Sequence, residues 1–294
     1  MKITIGTDPE LMLFDKQSSE IVSAIPVIAR SKYDPKELSN GSKCYYDNTL
    51  IEFSVNPARN ETEFVSILQQ AFSEASASFG NQYEMVAKPS HMMSKKDCEH
   101  KDAIQFGCSE EFCAYDLRKC EPPEAGGTFR SGGGHIHIGR DDYKEPSSPF
   151  LIKGRSKVNV IKMMDLVVGV PFTGIESNDP AALERKKLYG RAGRHRPTPY
   201  GVEYRVLSNY WVKSPVLAKL AYKLSERAVE AAQDASLIEL MEENQEAVRQ
   251  GIDIGNTDSC MSIFRKIAGK DLCKQVDLAR NQKIDTLNKE WAIN

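Results

Sequence analysis

The sequence predicts an α+β fold, because segments alternating apolar and polar residues occupy the first two-thirds of the chain while stretches of helical period fill the last third. The chain has no internal repeat and no low-complexity tract, which excludes solenoid and linker architectures. A single domain over 1–294 is therefore expected, with a sheet-rich core to about 213 and a helical region from about 214. At 40% hydrophobic and 27% charged residues the composition is that of a folded globular protein. A chain of 294 residues can bury about three-quarters of its unfolded surface without a staple.

Residues 2–14 read as a strand around the turn-prone Asp8-Pro9, and residues 45–55 as a second strand with Thr49, Ile51, Phe53 and Val55 on one face. Asn60 with Glu63 three residues on forms a capping box. Phe64, Leu68, Ala71, Phe72 and Ala75 then recur at helical spacing, predicting a helix over 61–78 that ends near Gly80. The stretch 88–124 reads as irregular with a short strand at 111–116. A glycine-rich turn, GGTFRSGGG, leads into the alternating strand HIHIG at 135–139. An apolar helix over 156–170 is expected to stop at Pro171, since proline lacks the N–H of the helical ladder. A basic loop follows, then a strand over 202–208. Ser214-Pro215, a cap and a first-turn proline, opens a helical region to about 290.

Charge and composition narrow the function classes. A net charge of -2 provides no global field toward nucleic acid or an anionic membrane, so nucleic acid is not expected as a partner. The opening MKITIGTDPELMLF lacks a basic start and a long apolar core, and the apolar stretch 167–172 is far shorter than the roughly 20 residues a bilayer requires. No membrane partner and a cytoplasmic location are expected. Seven cysteines without a secretory leader suit reduced thiols. Cys98, His100, Cys108, Cys113 and Cys120 lie close in sequence, but without a C-x-x-C knuckle ordinary thiols are preferred over a structural zinc site.

Side chains of a strand alternate faces, so each polar residue can be assigned a side. Asp8 and Glu10 share parity; Asn48, Glu52 and Ser54 oppose the apolar set of their strand; His135 and His137 oppose Ile136 and Ile138; Glu203 and Arg205 oppose Val202, Tyr204 and Val206. One sheet face is greasy and the other ionisable. Carboxylates and imidazoles are ligand types of hard or borderline divalent cations, and crowded carboxylates are tolerated most easily where cations neutralise them. Pro9 cannot donate a ladder hydrogen bond, which points to an edge or bulge and makes Asp8 a weaker ligand candidate than Glu10.

The segment 184–205 carries Arg185, Lys186, Lys187, Arg191, Arg194, Arg196 and Arg205 against only Glu184 and Glu203. Its interspersed glycines and prolines predict a loop whose guanidinium groups can grip phosphate oxygens bidentately. The alternatives are a solvated basic loop or a nucleic-acid contact. The run 126–139 lacks both the P-loop ending and a G-x-G-x-x-G opening a helix, so neither nucleotide fingerprint applies. Arg130 in this run is a candidate contact to a phosphate or a substrate carboxylate, with an ordinary surface arginine as the alternative.

Gly6-x-Asp8-x-Glu10, the strand DNTLIEFSVNP with Glu52, the GGHIHIG strand and the arginine-rich segment closing on GVEYR appear in one order. Together, over about residues 1–211, they resemble the carboxylate-amine ligases of the glutamine synthetase and gamma-glutamyl-cysteine ligase superfamily, and most of all its bacteriophage-encoded COOH-NH2 ligase branch. The resemblance implies a single catalytic domain in which a largely antiparallel sheet, flanked by helices, forms a funnel-shaped active site. It implies ATP with Mg2+ or Mn2+, an acyl phosphate, and an amide or isopeptide bond formed between small-molecule or peptide carboxylate and amine substrates. It further implies Glu10, Glu52, Glu203 and His135 as metal ligands, and His137, Arg191 and Arg196 at the nucleotide. Arg205, Arg194 and Arg130 would serve transfer, with His135 and His137 interchangeable as ligand. A phage-encoded chain would work in the host cytoplasm, and an oligomer is compatible. The alternatives are a phosphotransferase acting on a guanidino or amino group and a non-catalytic phage accessory protein.

Overall fold

The computed structural model describes residues 2–104, 110–121 and 127–293. Among them the strands are β1 (Ile3–Asp15), β2 (Glu20–Val22), β3 (Lys36–Glu37), β4 (Lys43–Asp47), β5 (Leu50–Ala58), β6 (Tyr83–Val86), β7 (Ser90–Met92), β8 (Glu111–Cys113), β9 (Arg118–Cys120), β10 (Phe129–Ser131), β11 (Gly134–Arg140), β12 (Arg194–Thr198) and β13 (Gly201–Tyr204). The main sheet runs β3-β4-β5-β1-β11-β13-β12-β8-β9, with β2 and β6 pairing the far end of β1. Every ladder between these strands is antiparallel. Strands β7 and β10 form a separate ribbon.

The helices are α1 (Ile25–Ile28), α2 (Glu61–Phe79), α3 (Lys101–Ile104), α4 (Gly154–Met164), α5 (Val170–Ile175), α6 (Pro180–Lys186), α7 (Pro215–Ala231), α8 (Ala235–Ile254), α9 (Asp258–Arg280) and α10 (Leu287–Glu290). The apolar side chains of the central strands, Ile5, Ile51, Phe53, Ile136, Ile138, Val202 and Tyr204, are all buried in one core with the inner faces of α2, α4 and α7. The fold is thus α+β, an antiparallel sheet with helices packed on its apolar face. Helix α2 starts where expected: Asn60 Oδ1 accepts from Glu63 N–H at 2.9 Å, while the Glu63 carboxylate reaches one residue further back, to Arg59 N–H at 2.7 Å.

Four expectations need correction. The single strand over 45–55 is a hairpin of β4 and β5, because Asn48 adopts φ +56° and turns the chain, carrying Asn48 and Thr49 out of the ladder. Pro9 marks no edge: β1 lies between β5 and β11, and Pro9 stands in register with Gly134. The register shift falls instead between Ile5 and Thr7, opposite Pro57 and its neighbours in β5.

Pro171 does not end its helix. A π-turn, Asp165–Gly169, joins α4 to α5, and Val170 N–H reaches back to the carbonyl of Asp165, so proline falls in the first turn of α5. The whole run 154–175 is long and apolar enough to cross a membrane, but 89% of its most apolar window is buried among α7, α8 and α9. Finally, the segment 184–205 is not a loop throughout. Arg185 and Lys186 end α6, and Arg194 and Arg196 share one face of β12, which β13 and β8 hold on either side.

Candidate active site

The polar residues of four central strands meet on the sheet face away from the helices. Asp8 stands opposite His135, Glu10 opposite Glu52, Glu52 opposite Tyr45, and Glu203 between His137 and Arg196. Asp8 faces two imidazoles at once, with Oδ1 3.2 Å from His135 Nδ1 and Oδ2 3.2 Å from His137 Nε2. Burial alone would raise the Asp8 carboxyl, but the two histidines override it and hold it far below the usual range. The same pairing lifts His137 above its ordinary value against the effect of burial. His137 Nδ1 is also hydrogen-bonded to the Tyr200 hydroxyl at 2.8 Å.

Arg205 follows β13 and its backbone N–H still bonds to the Arg194 carbonyl at 3.0 Å. Its guanidinium joins Glu203 to Glu111 and lies 3.1 Å from His135 Nδ1. Burial tends to raise Glu111, and the Arg205 charge outweighs it and lowers that carboxyl. Arg196 Nη1 reaches Glu203 at 3.4 Å and Arg194 Nη1 reaches Glu111 at 3.9 Å. Beyond Asp8, Glu10 Oε2 accepts from the Gly133 N–H at 2.7 Å. A Cβ at Gly133 would lie 2.5 Å from His135 Nε2, so this close approach requires glycine. Burial raises Glu10, partly offset by His135 and Gly133, and raises Glu52 further because Asp8, Glu10 and Asp47 add like charge. Tyr45 donates to Glu52 at 3.1 Å.

A cavity of about 610 Å³ opens beside Asp8 and His137, walled by Tyr45, Arg59, Tyr143 and Tyr200 among others. One donor atom each from Asp8, His137 and Glu203 lie within 4.8 Å of one another. Asp8 Oδ1 is buried without a hydrogen bond despite its nearness to His135. An orphaned carboxylate oxygen among carboxylates and imidazoles fits a divalent cation.

The structure therefore brings together Glu10, Glu52, Glu203, His135, His137, Arg194, Arg196 and Arg205. It does not bring in Arg130, which is buried on β10 and spends its guanidinium on Asn48, Cys98 and the carbonyls of Gly127, Phe129 and Ala103. Arg191 is exposed ahead of β12. Cys98 contacts Arg130, Cys113 and Cys120 sit on β8 and β9, and Cys108 lies outside the described residues. Three groups of this face escaped the sequence reading. Tyr45 was legible in the Asp47-Asn48 turn signal, which would have folded β4 onto Glu52. Glu111 and Tyr200 carried no local signal.

No curated protein matches the chain by sequence. Among solved structures it is similar to a bifunctional glutathione synthetase from Pasteurella multocida, at 10% identity over 99% of this chain and 48% of that one, with a TM-score of 0.45. It is also similar to a novel glutamine synthase homolog, at 13% identity over 95% of this chain and 70% of that one, with a TM-score of 0.35. The chain spans about half the length of the first of these. Residues 126–289, more than half of the chain, match the family described as phage phiEco32-like COOH.NH2 ligase-type 2. The matched region contains His135, His137, Arg194, Arg196, Glu203 and Arg205, while Asp8, Glu10, Glu52 and Glu111 precede it.

Proposed function

The chain belongs to the phage phiEco32-like COOH.NH2 ligase-type 2 family, and on that premise we propose that it joins a carboxylate to an amine, driven by ATP through an acyl phosphate. The observation that carries this reading is the convergence of Asp8, His137 and Glu203 within 4.8 Å beside a cavity of about 610 Å³. That volume lies within the usual range of small-ligand pockets and suits a nucleotide entering past Tyr143 and Tyr200.

In the proposed reaction a substrate carboxylate oxygen attacks the γ-phosphorus and the bond to ADP breaks. The amine nitrogen then attacks the acyl carbon, phosphate leaves, and the nitrogen loses a proton. Arg205, Arg194 and Arg196 line the side of the sheet where negative charge would develop on the transferred group, and oriented guanidinium groups stabilise such charge without reorganising. Asp8, His137 and Glu203 would hold Mg2+ or Mn2+, with Glu10 and Glu52 alongside, and the cation would neutralise phosphate charge. Asp8 Oδ2 and the Tyr200 hydroxyl hold the His137 imidazole from its two nitrogens, and Tyr45 and Gly133 fix the two glutamates.

The test is release of ADP and phosphate from Mg-ATP by the purified protein, with and without a small-metabolite extract, using Glu203→Gln as the blank. ADP and phosphate rising together, and only with extract, is the expected result. ADP without free phosphate identifies a phosphotransferase instead, and no ADP with any divalent metal contradicts the ligase reading.

A further inference from the structure

Behind the sheet, on the face opposite the site, a fully buried carboxyl receives three hydrogen bonds from three different segments. Asp165 Oδ1 accepts from the Tyr204 hydroxyl at 2.7 Å. Oδ2 accepts from the Tyr115 hydroxyl at 2.8 Å and from the Gly193 N–H at 2.6 Å. Two of the donors adjoin charged residues of the site, and the third lies just past the strand that begins with one. Tyr204 lies between Glu203 and Arg205; Gly193 precedes Arg194; Tyr115 follows β8, which begins with Glu111. Ala114 N–H also bonds to the Gly193 carbonyl at 3.0 Å, closing the Tyr115 and Gly193 segments against each other.

The helix is shaped to present this carboxyl. Asp165 is the first residue of the π-turn, which widens the helix where it meets β13. Gly169, the last residue of that turn, makes room for Tyr204, since a Cβ there would lie 2.5 Å from the Tyr204 oxygen. A widened turn, a glycine and a buried acid are each unfavourable taken singly, and here all three serve one contact.

We propose that Asp165 is a positioning residue of the candidate site, holding from behind the sheet the three segments that carry Glu111, Arg194, Glu203 and Arg205. The proposal rests on the ligase reading only for what those four charges do. The physical route is short. Strand side chains alternate, so a tether on Tyr204 sets the height and tilt of β13 and with it the two flanking side chains. The Gly193 tether sets the start of β12 in the same way. A carboxyl that accepts three bonds defines one arrangement of these segments; removing it frees them to move relative to one another while the surrounding apolar core remains.

Asparagine is the conservative replacement. Its oxygen can accept from Gly193 and Tyr115, and its amide can donate to the Tyr204 hydroxyl, which rotates to accept. Alanine removes every acceptor. Tyr204→Phe removes a single donor and keeps the ring, so it remains informative if Asp165→Ala does not fold.

The test is amide hydrogen exchange of the whole, ligand-free protein, comparing wild type with Asp165→Asn, Asp165→Ala and Tyr204→Phe. Exchange over residues 194–206 is expected to accelerate at least about tenfold in Tyr204→Phe and Asp165→Ala, to stay near wild type in Asp165→Asn, and to be unchanged over α2. Equal acceleration over 194–206 and α2 would show a merely stabilising role and overturn the proposal, as would unchanged exchange over 194–206. ADP formation, measured in parallel, is expected to lose kcat in Asp165→Ala and Tyr204→Phe and to stay near wild type in Asp165→Asn. An inactive wild type would sink the ligase reading and leave the exchange result to decide the positioning role.

Discussion

Glu10 and Glu52 stand directly opposite each other across β1 and β5, two half-buried residues whose carboxyl groups are each pushed above the usual range. Burial is the main cause, and their mutual repulsion adds to it at Glu52. Such a pair costs stability until a cation or a proton neutralises it. Glu52→Gln is therefore expected to raise the metal-free melting temperature while weakening Mn2+ binding by about tenfold or more. Calorimetry of the metal-free protein and a Mn2+ titration check both halves. Lower stability together with unchanged Mn2+ affinity would remove Glu52 from the site.

The alternation of residue types carried most of this face into view from sequence. Glu10, Glu52, His135, His137, Glu203 and Arg205 needed only the two-residue period of a strand, because the opposite parity was largely apolar. What sequence could not show was partnership between distant segments. Asp8 gained its place from His135 and His137, more than a hundred residues away, and a proline beside it proved compatible with a central strand. Arg130 was misleading for the converse reason. Its position in a glycine-rich run beside the histidines suggested a ligand contact, whereas β10 leaves the main sheet and pairs with β7. Pro171 and the glycines of the basic segment look like breakers locally, and tertiary packing overrode them through a π-turn and the added strand β12.

Arg205 uses its fork to join Glu203 to Glu111. Arg205→Lys keeps the charge and loses the second donor direction, so it is expected to lower turnover by more than about tenfold with the fold intact. Steady-state ADP formation and a melting curve of the same preparation check this. Near-normal turnover would assign Arg205 to structure.

Arg130 is expected to behave in the opposite way. Its guanidinium fastens Asn48 and the carbonyls of Gly127, Phe129 and Ala103, so Arg130→Ala should cost roughly 2–4 kcal/mol of stability. KM for ATP in the folded fraction should stay near wild type. Urea denaturation and initial rates separate the two effects, and a large rise in KM with unchanged stability would return Arg130 to the substrate.

Asp165 gives the fold a pH dependence of known sign. Burial pushes its carboxyl up to about 7, despite the hydrogen bonds from Tyr204, Tyr115 and Gly193 that favour the charged form. The folded chain thus retains a proton that the unfolded chain gives up near pH 4. The contribution to stability is complete below about pH 4 and is lost as pH rises to about 7. Asp165→Asn lacks this dependence, so the stability of wild type relative to the variant should fall across that window, by up to about 4 kcal/mol. Paired urea titrations from pH 4 to 8 measure the difference, and a constant gap would contradict the assignment.

In the proposed reaction this face transfers phosphate to a carboxylate before an amine displaces it. The fate of oxygen-18 in carboxyl-labelled amino acids reports this order of steps, with the amino acids supplied as a pool with amines and Mg-ATP and the released phosphate analysed by mass spectrometry. One labelled oxygen in phosphate is expected for each amide formed, with no amide or labelled phosphate from Glu203→Gln. Amide formation with unlabelled phosphate, or ADP formation with the phosphoryl group retained on the product, would contradict this order of steps.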